Sequence, residues 1–312
     1  MDPSERIRTL RANVEQAIRG KGDAVKLSVI ALLARGHLLI EDIPGVGKTT
    51  LASSLARSIG GTFRRVQFTS DLLPSDITGI SVFNPETRVF EFKRGPLFAN
   101  VVLADELNRA TPKTQSSLLE AMGECRVSVD SVTHSLPTPF FVVATLNPVE
   151  HHGTYPLPDS ELDRFLMRLR MGYPEADAER EIIVRQRLVN PADTIEPVLT
   201  GEEIAALQKR VREIHVDDAV LDYMLAMVKQ TREHPAVELG VSPRGSISLY
   251  RSVQALALVE GRAFATPDDV KEMAVPVLAH RLVLKPAAAS GRSGETARMI
   301  VEEILHRVPV PA

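Results

Sequence analysis

The sequence predicts an α/β fold, a parallel sheet covered by helices, joined to a C-terminal domain built from helices. Three observations carry that expectation. Short apolar runs stop at acids or turn residues, helical patterns separate several of those runs, and beyond residue 173 only helical periodicity remains. With 312 residues, 44% of them hydrophobic and 25% charged, the chain can bury a core in each of two domains, 1–172 and 173–312.

The elements follow in chain order. Ser4 is a candidate N-cap for a first helix, because Ile7, Leu10, Val14 and Ile18 recur at helical spacing until Gly20. Val25, Leu27, Val29, Ile30, Leu32 and Leu33 mark a second helix that ends by Gly36. Residues 37–41 are a short apolar run closed by turn residues, as expected of a strand buried on both faces, and 50–59 read as a helix after a glycine loop. The strand pattern repeats at 65–68, 101–105 and 140–145, and 114–122 is helical. Two segments interrupt the alternation as hairpins: 81–92, turning at Asn84-Pro85-Glu86, and 126–133, turning at Asp130-Ser131. The second domain reads as helices at 176–187, 201–213, 217–233, 246–260, 267–279 and 295–306, with 286–294 as a small-residue connector. Thr266 caps a helix whose first positions are Pro267, Asp268 and Asp269, so two carboxylates meet the positive end of the dipole.

The formal charge of −3 gives no global positive field for a polyanion, so nucleic acid is not an expected partner. The single cysteine, Cys125, excludes an internal disulfide and a multi-cysteine zinc site; in a strand-like run it is expected to be a half-buried thiol. The N-terminal residues lack the apolar run of a secretory signal, and no window reaches the ~20 apolar residues of a membrane span. A cytoplasmic location is expected.

Three constellations carry chemistry. The first is the loop Pro44-Gly45-Val46-Gly47-Lys48-Thr49-Thr50, between a strand and a helix. Glycines let main-chain N–H groups close on phosphate oxygens, the helix N-terminus adds positive potential, Lys48 reaches the outer phosphates, and Thr49 supplies a hydroxyl to Mg2+. The common pattern G-x-x-x-x-G-K-S/T begins with glycine, whereas this chain has Asp42. A carboxylate there repels phosphate unless it points toward the helix-lined flank. The second constellation is the strand end Ala104-Asp105-Glu106, where Asp105 is the candidate metal ligand and Glu106 the group that activates water. The third is Asn147, a neutral amide placed to meet a terminal phosphate or the water; the alternative is an Asn-Pro turn starter with Pro148. His151-His152 are adjacent on a loop, point apart, and are not expected to bind metal.

Together with 67–79, 104–115, 153–158 and Leu162-Asp163-Arg164-Phe165, these motifs resemble the AAA+ ATPases, and within them the MoxR family, along nearly the whole chain. The resemblance implies a P-loop core with a five-stranded parallel sheet, a C-terminal helical lid, and Mg2+-dependent ATP hydrolysis in a hexameric ring. It implies that Arg164 completes a neighbour's site, the alternative being a surface ion pair with Asp163 or Glu161. Arg244, in Gly240-Val241-Ser242-Pro243-Arg244, corresponds to an arginine that reaches back to the γ-phosphate, the alternative being an exposed arginine at a helix start. Gly20 falls in the segment that borders adenine, where Arg19 and Lys21 replace the family's Val and Gln. The two hairpins correspond to insertions that face a pore or partner. The first, with Arg88, Lys93 and Arg94 beside Phe90 and Phe92, suits nucleic acid or protein. The implied role is chaperone-like remodelling of a partner protein, often one with a von Willebrand factor A domain on a separate chain. A nucleotide-gated adaptor with little turnover and a nucleic-acid motor are the alternatives.

Overall fold

The computed structural model describes residues 2–148, 153–186, 191–288 and 293–311. Two helices, α1 (Pro3–Ala17) and α2 (Gly22–Leu33), precede the first strand. Asp2 holds the N-cap position of helix α1 without a side-chain bond to it, and Pro3 follows in the first turn, where a missing N–H costs nothing; Ser4, the expected cap, lies inside the helix. There follow β1 (Leu38–Glu41), α3 (Lys48–Ser58), β2 (Phe63–Gln67), α4 (Pro74–Thr78), β3 (Gly79–Asn84), β4 (Val89–Arg94), β5 (Val101–Asp105) and α5 (Pro112–Glu124). After them come β6 (Arg126–Val129), β7 (Val132–Ser135), β8 (Phe141–Leu146), α6 (Asp159–Leu162) and β9 (Met167–Leu169).

Five strands form one sheet in the order β2-β5-β8-β1-β9, every neighbour parallel. Side-chain alternation divides the buried strands between two cores. Leu38, Ile40, Val101, Leu103, Phe141 and Val143 face α1, α2 and α3. Leu39, Val102, Ala104, Val142 and Ala144 face α5. Burial on both faces is why these strands read as unbroken apolar runs. Strand β9 escaped the sequence pattern because it is a three-residue edge strand with a charged middle, Arg168, which pairs with Glu41 at 3.3 Å.

Both hairpins form. Asp130 and Ser131 take left-handed φ angles of 49° and 66°, the backbone of a two-residue turn that matches strand twist. At the tip of the other, the Asn84 side chain accepts the Glu86 N–H at 2.9 Å. The hairpins touch where Phe92 stacks on His134, ring centroids 4.0 Å apart. Cys125 is not in a strand: it ends α5 in a left-handed conformation (φ 53°) and is exposed.

The C-terminal part contains α7 (Ala176–Gln186), α8 (Gly201–Val211), α9 (Asp218–Glu233), α10 (Pro243–Val259), α11 (Pro267–Leu278) and α12 (Ser293–Arg307). It is not purely helical: β10 (Val237–Leu239) and β11 (Val283–Leu284) pair as a short antiparallel ladder too brief for alternation to show. Thr266 caps α11, as the sequence suggested, and Asp269 returns the bond to the Thr266 N–H, which completes a capping box. The expected connector at 286–294 lies partly outside the described residues. Helices α8 to α12 share a core with α1 and α2, and the Gln208 amide donates to the Leu32 carbonyl at 2.8 Å.

His37 ties the sheet to α5 from within. Its Nδ1 accepts the Val142 N–H at 3.0 Å and its Nε2 donates to the Met122 carbonyl at 3.0 Å, so the ring is held neutral. Burial lowers its pKa to about 4. A depressed folded-state value means that the unfolded chain takes up the proton first, so stability is whole above pH 6.5 and falls as pH drops toward 4. His37 alone should cost about 2 kcal/mol of stability at pH 5 relative to pH 8. Urea titrations at the two pH values, on the parent and on His37→Gln, check this; an equal pH dependence in both would contradict it.

Candidate nucleotide site

In a parallel sheet with this order, β1 is followed by a helix that crosses to the far edge, so a crevice opens at the C-terminal ends of β1, β5 and β8. The loop after β1 borders it. Gly45 and Gly47 hold φ angles of 84° and 95°, which residues with a Cβ rarely adopt, and Gly47 is the left-handed cap from which α3 starts. The N-terminal end of this eleven-residue helix therefore faces the crevice with unpaired main-chain donors. A cavity of about 390 Å3 lies there, and residues 44–50 all line it.

Asp105, Glu106 and Asn147 line the same cavity. The Thr145 hydroxyl organises them: it donates to Asp105 Oδ1 at 2.7 Å and accepts the Glu106 N–H at 2.8 Å. Glu106 turns sharply off the strand in a left-handed conformation (φ 56°), and its Oε2 receives the Gln67 amide at 2.7 Å and faces Arg109 at 3.3 Å. Asp105 Oδ2 pairs with Arg65 at 2.6 Å. Asn147 is buried. Burial lowers the pKa of Lys48, and the carboxylates of Asp42, Asp105 and Glu106 oppose that shift, so the ammonium sits in a field that favours its charge. Its Nζ donates to the Asp42 carbonyl.

Asp42 itself does not face the phosphate crevice. Its carboxylate is buried against the segment after β9 and accepts three main-chain N–H groups, so it points to the flank rather than at the phosphate side. Gly20 is not among the lining residues; Ile18, Arg19 and Lys21 are, and Gly20 instead packs against Ala178. Arg164 and Arg244 also lie away from the cavity lining. Arg164 is exposed and donates to the Leu119 carbonyl at 3.0 Å. Neither expected carboxylate partner is seen on it: Asp163 pairs with buried Arg281 at 2.7 Å and accepts from Ser242, while Glu161 accepts from Ser116. Arg244 is exposed in the first turn of α10. His151 and His152 lie outside the described residues.

Arg65, Gln67 and Thr145 were not singled out from sequence. Two polar residues alternating around buried Val66 were the available signal, but only the register between β2 and β5, with Gln67 beside Asp105, gives them a role. Magnesium with a triphosphate fits the donor set: a threonine hydroxyl and a carboxylate are hard oxygen ligands, and a lysine and the α3 N-terminus meet phosphate charge.

Residues 37–167 match the ATPase family associated with various cellular activities (AAA), and residues 229–304 match the AAA lid domain. Chaperone MoxR1 of Mycobacterium tuberculosis is 40% identical over 308 residues, covering 96% of this chain and 80% of that protein. The Bacillus subtilis protein YeaC is 50% identical over 299 residues, covering 96% and 93%. A crystal structure from Cytophaga hutchinsonii aligns with a TM-score of 0.91 at 34% identity, covering 99% of this chain and 96% of that one.

Thr145→Val keeps the shape of the side chain but leaves Asp105 Oδ1 and the Glu106 N–H without this partner. It should lower unfolding free energy by about 1–3 kcal/mol. Urea denaturation reads this directly, and a variant as stable as the parent would show that the hydroxyl does not organise the site.

Proposed function

This chain belongs to the MoxR family of AAA+ ATPases, an ATP-hydrolysing family with a chaperone-like role, and from that premise we propose that it works as a hexameric ring that remodels a partner protein. The proposed site residues are those of the cavity. Residues 44–50 hold the triphosphate, Lys48 meets its outer phosphates, Thr49 and Asp105 hold Mg2+, and Asn147 orients the terminal phosphate or the water. Bound magnesium would supply neutralisation of charge on the phosphate oxygens. Glu106 accepts the proton of the attacking water, and the Gln67 amide holds that carboxylate in place until substrate arrives.

The observation that favours a ring is the position of Arg164. It precedes β9, whose Met167 lies beside Leu38, and the Leu166 N–H donates to the His37 carbonyl. Arg164 is therefore at the N-terminal edge of the sheet, while Glu41 marks the edge with the cavity. Four residues of strand, ~13 Å, separate the two edges, further than an arginine side chain reaches. A second chain is the natural recipient of that guanidinium. Ser242 donates to Asp163 at 2.9 Å, so the turn carrying Arg244 docks beside Arg164. We assign Arg244 to the same neighbour rather than to its own site.

The division into a core at 1–172 and a lid at 173–312 follows the chain's departure from β9. One wall of the cavity, Pro174 and Ile182, comes from beyond that point, so lid position and nucleotide occupancy are linked. The partner is a separate polypeptide; a von Willebrand factor A domain protein fits the family premise. The β3–β4 hairpin, with Val89 58% and Phe90 69% exposed, offers an apolar tip to such a client. Among the described residues no helix is long and apolar enough to cross a membrane, and action in the cytoplasm suits an ATP-driven chaperone.

Two measurements test this reading. Glu106→Gln should bind ATP while turnover falls by about a thousandfold or more, read by equilibrium binding beside phosphate release. Lys48→Ala and Arg164→Ala should each be inactive alone, yet recover part of the parental rate when mixed, because a site with an intact Lys48 then borrows an intact Arg164. No recovery on mixing, with assembly shown by light scattering, would remove the shared site.

A further inference from the structure

Asp42 occupies the position where the common P-loop pattern has glycine, and only 8% of its surface is exposed. Its Oδ1 accepts the Ile43 N–H at 2.8 Å, and its Oδ2 accepts the N–H groups of Met171 at 2.7 Å and Gly172 at 2.6 Å. A carboxylate that spends its acceptors on three amides makes strong, charge-assisted bonds. Residues 171 and 172 are where the chain leaves the sheet for the helices, and Gly172 turns there with φ 64°. The same segment is held from the other side by Lys21, whose Nζ donates to the carbonyls of Met171 at 2.7 Å and Tyr173 at 2.6 Å.

Asp42 also touches the catalytic elements through its main chain. Its N–H donates to the Leu146 carbonyl at 3.1 Å, next to Asn147, and its carbonyl accepts Lys48 Nζ. The residue thus joins three things: the lysine that would meet the outer phosphates, the strand end that carries Asn147, and the connector to the lid. The Lys48 ammonium has three N–H donors, so a γ-phosphate would share it with the Asp42 carbonyl and draw its charge away from that peptide.

We propose that Asp42 is the positioning residue that couples occupancy of the phosphate site to the orientation of the helical domain, through its bonds to the Met171 and Gly172 amides. When a phosphate draws Lys48 toward itself, the pull reaches the Asp42 peptide through the bond to its carbonyl, and the carboxylate carries that displacement to the connector. Glycine at this position would build the phosphate loop equally well but would have no grip on residues 171 and 172. This rests on ATP binding at the cavity, so binding is measured separately.

The experiment compares the parent with Asp42→Gly, and with Asp42→Asn in case the glycine variant folds poorly. In a Cys125→Ser background, spin labels at exposed Arg64 and Lys229 report the core-to-lid distance by pulsed electron resonance, with and without a non-hydrolysable ATP analogue. The parent should show a nucleotide-dependent distance change, and Lys48→Ala should show none. Asp42→Gly should keep analogue affinity within about threefold while the distance change is lost and kcat falls by about tenfold or more at near-constant KM. Asp42→Asn, which keeps one acceptor toward the connector but turns a donor toward Ile43, should be intermediate. Three outcomes would overturn the proposal: no distance change in the parent, a parental distance change in Asp42→Gly, or lost analogue affinity in a folded Asp42 variant. The last would make Asp42 a shaper of the phosphate loop alone. Failure of ATP binding in the parent would instead strike the functional reading beneath it.

Discussion

The parallel sheet imposes one constraint from which the rest follows: every strand ends at the same edge. Glu41, Asp105 and Leu146 finish β1, β5 and β8 side by side, so the loops after them converge on one crevice without any long-range search. The same rule sends every group that precedes a strand to the opposite edge. Arg164 falls there because it comes just before β9. A fold with this connectivity cannot bring Arg164 over its own cavity, and the proposed assembly rests on that geometrical exclusion.

Within the crevice, charges are arranged so that none is left buried alone. Asp105 and Glu106 are adjacent carboxylates that would repel each other, and they are separated by distinct partners: Arg65 and Thr145 on one, Gln67 and Arg109 on the other. The Arg65 guanidinium balances the charge of Asp105. At the other edge, Arg281 is buried, and burial pulls its pKa down to about 10 while Asp163 resists the fall. Its contacts with Asp163 and with the carbonyls of Phe165 and Leu166 fix the segment on which Arg164 stands. Breaking such a pair is costly because the survivor stays desolvated.

Much of the fold was legible residue by residue, for identifiable reasons. Strands β1, β5 and β8 are buried on both faces and therefore announce themselves as apolar runs. Helix α11 was readable from its cap, and the hairpin at Asp130-Ser131 from its turn residues. Elements shorter than a detectable period were not: β9, β10 and β11 have three, three and two residues. Cys125 was misplaced because the residue that ends a helix in a left-handed turn looks, locally, like the first residue of the strand after it.

The sequence by itself determined the phosphate-loop candidate, because the glycines, lysine and threonine proposed to hold the phosphates are contiguous and their spacing is the motif. It also marked Asp105 and Glu106 as candidates, since a buried strand ending in two acids is a local pattern, and both line the cavity. Only the tertiary structure decided what is set by register and by edge: that Gln67 and Thr145 hold those acids, that the Asp42 carboxylate turns to the connector, that Gly20 leaves the cavity lining to its neighbours, and that Ser242, in the turn before Arg244, bonds Asp163. The physical reason is common to all four. Each depends on a hydrogen bond, a packing contact or an edge shared by residues far apart in the chain, and no local pattern records which distant residue the sheet will bring alongside.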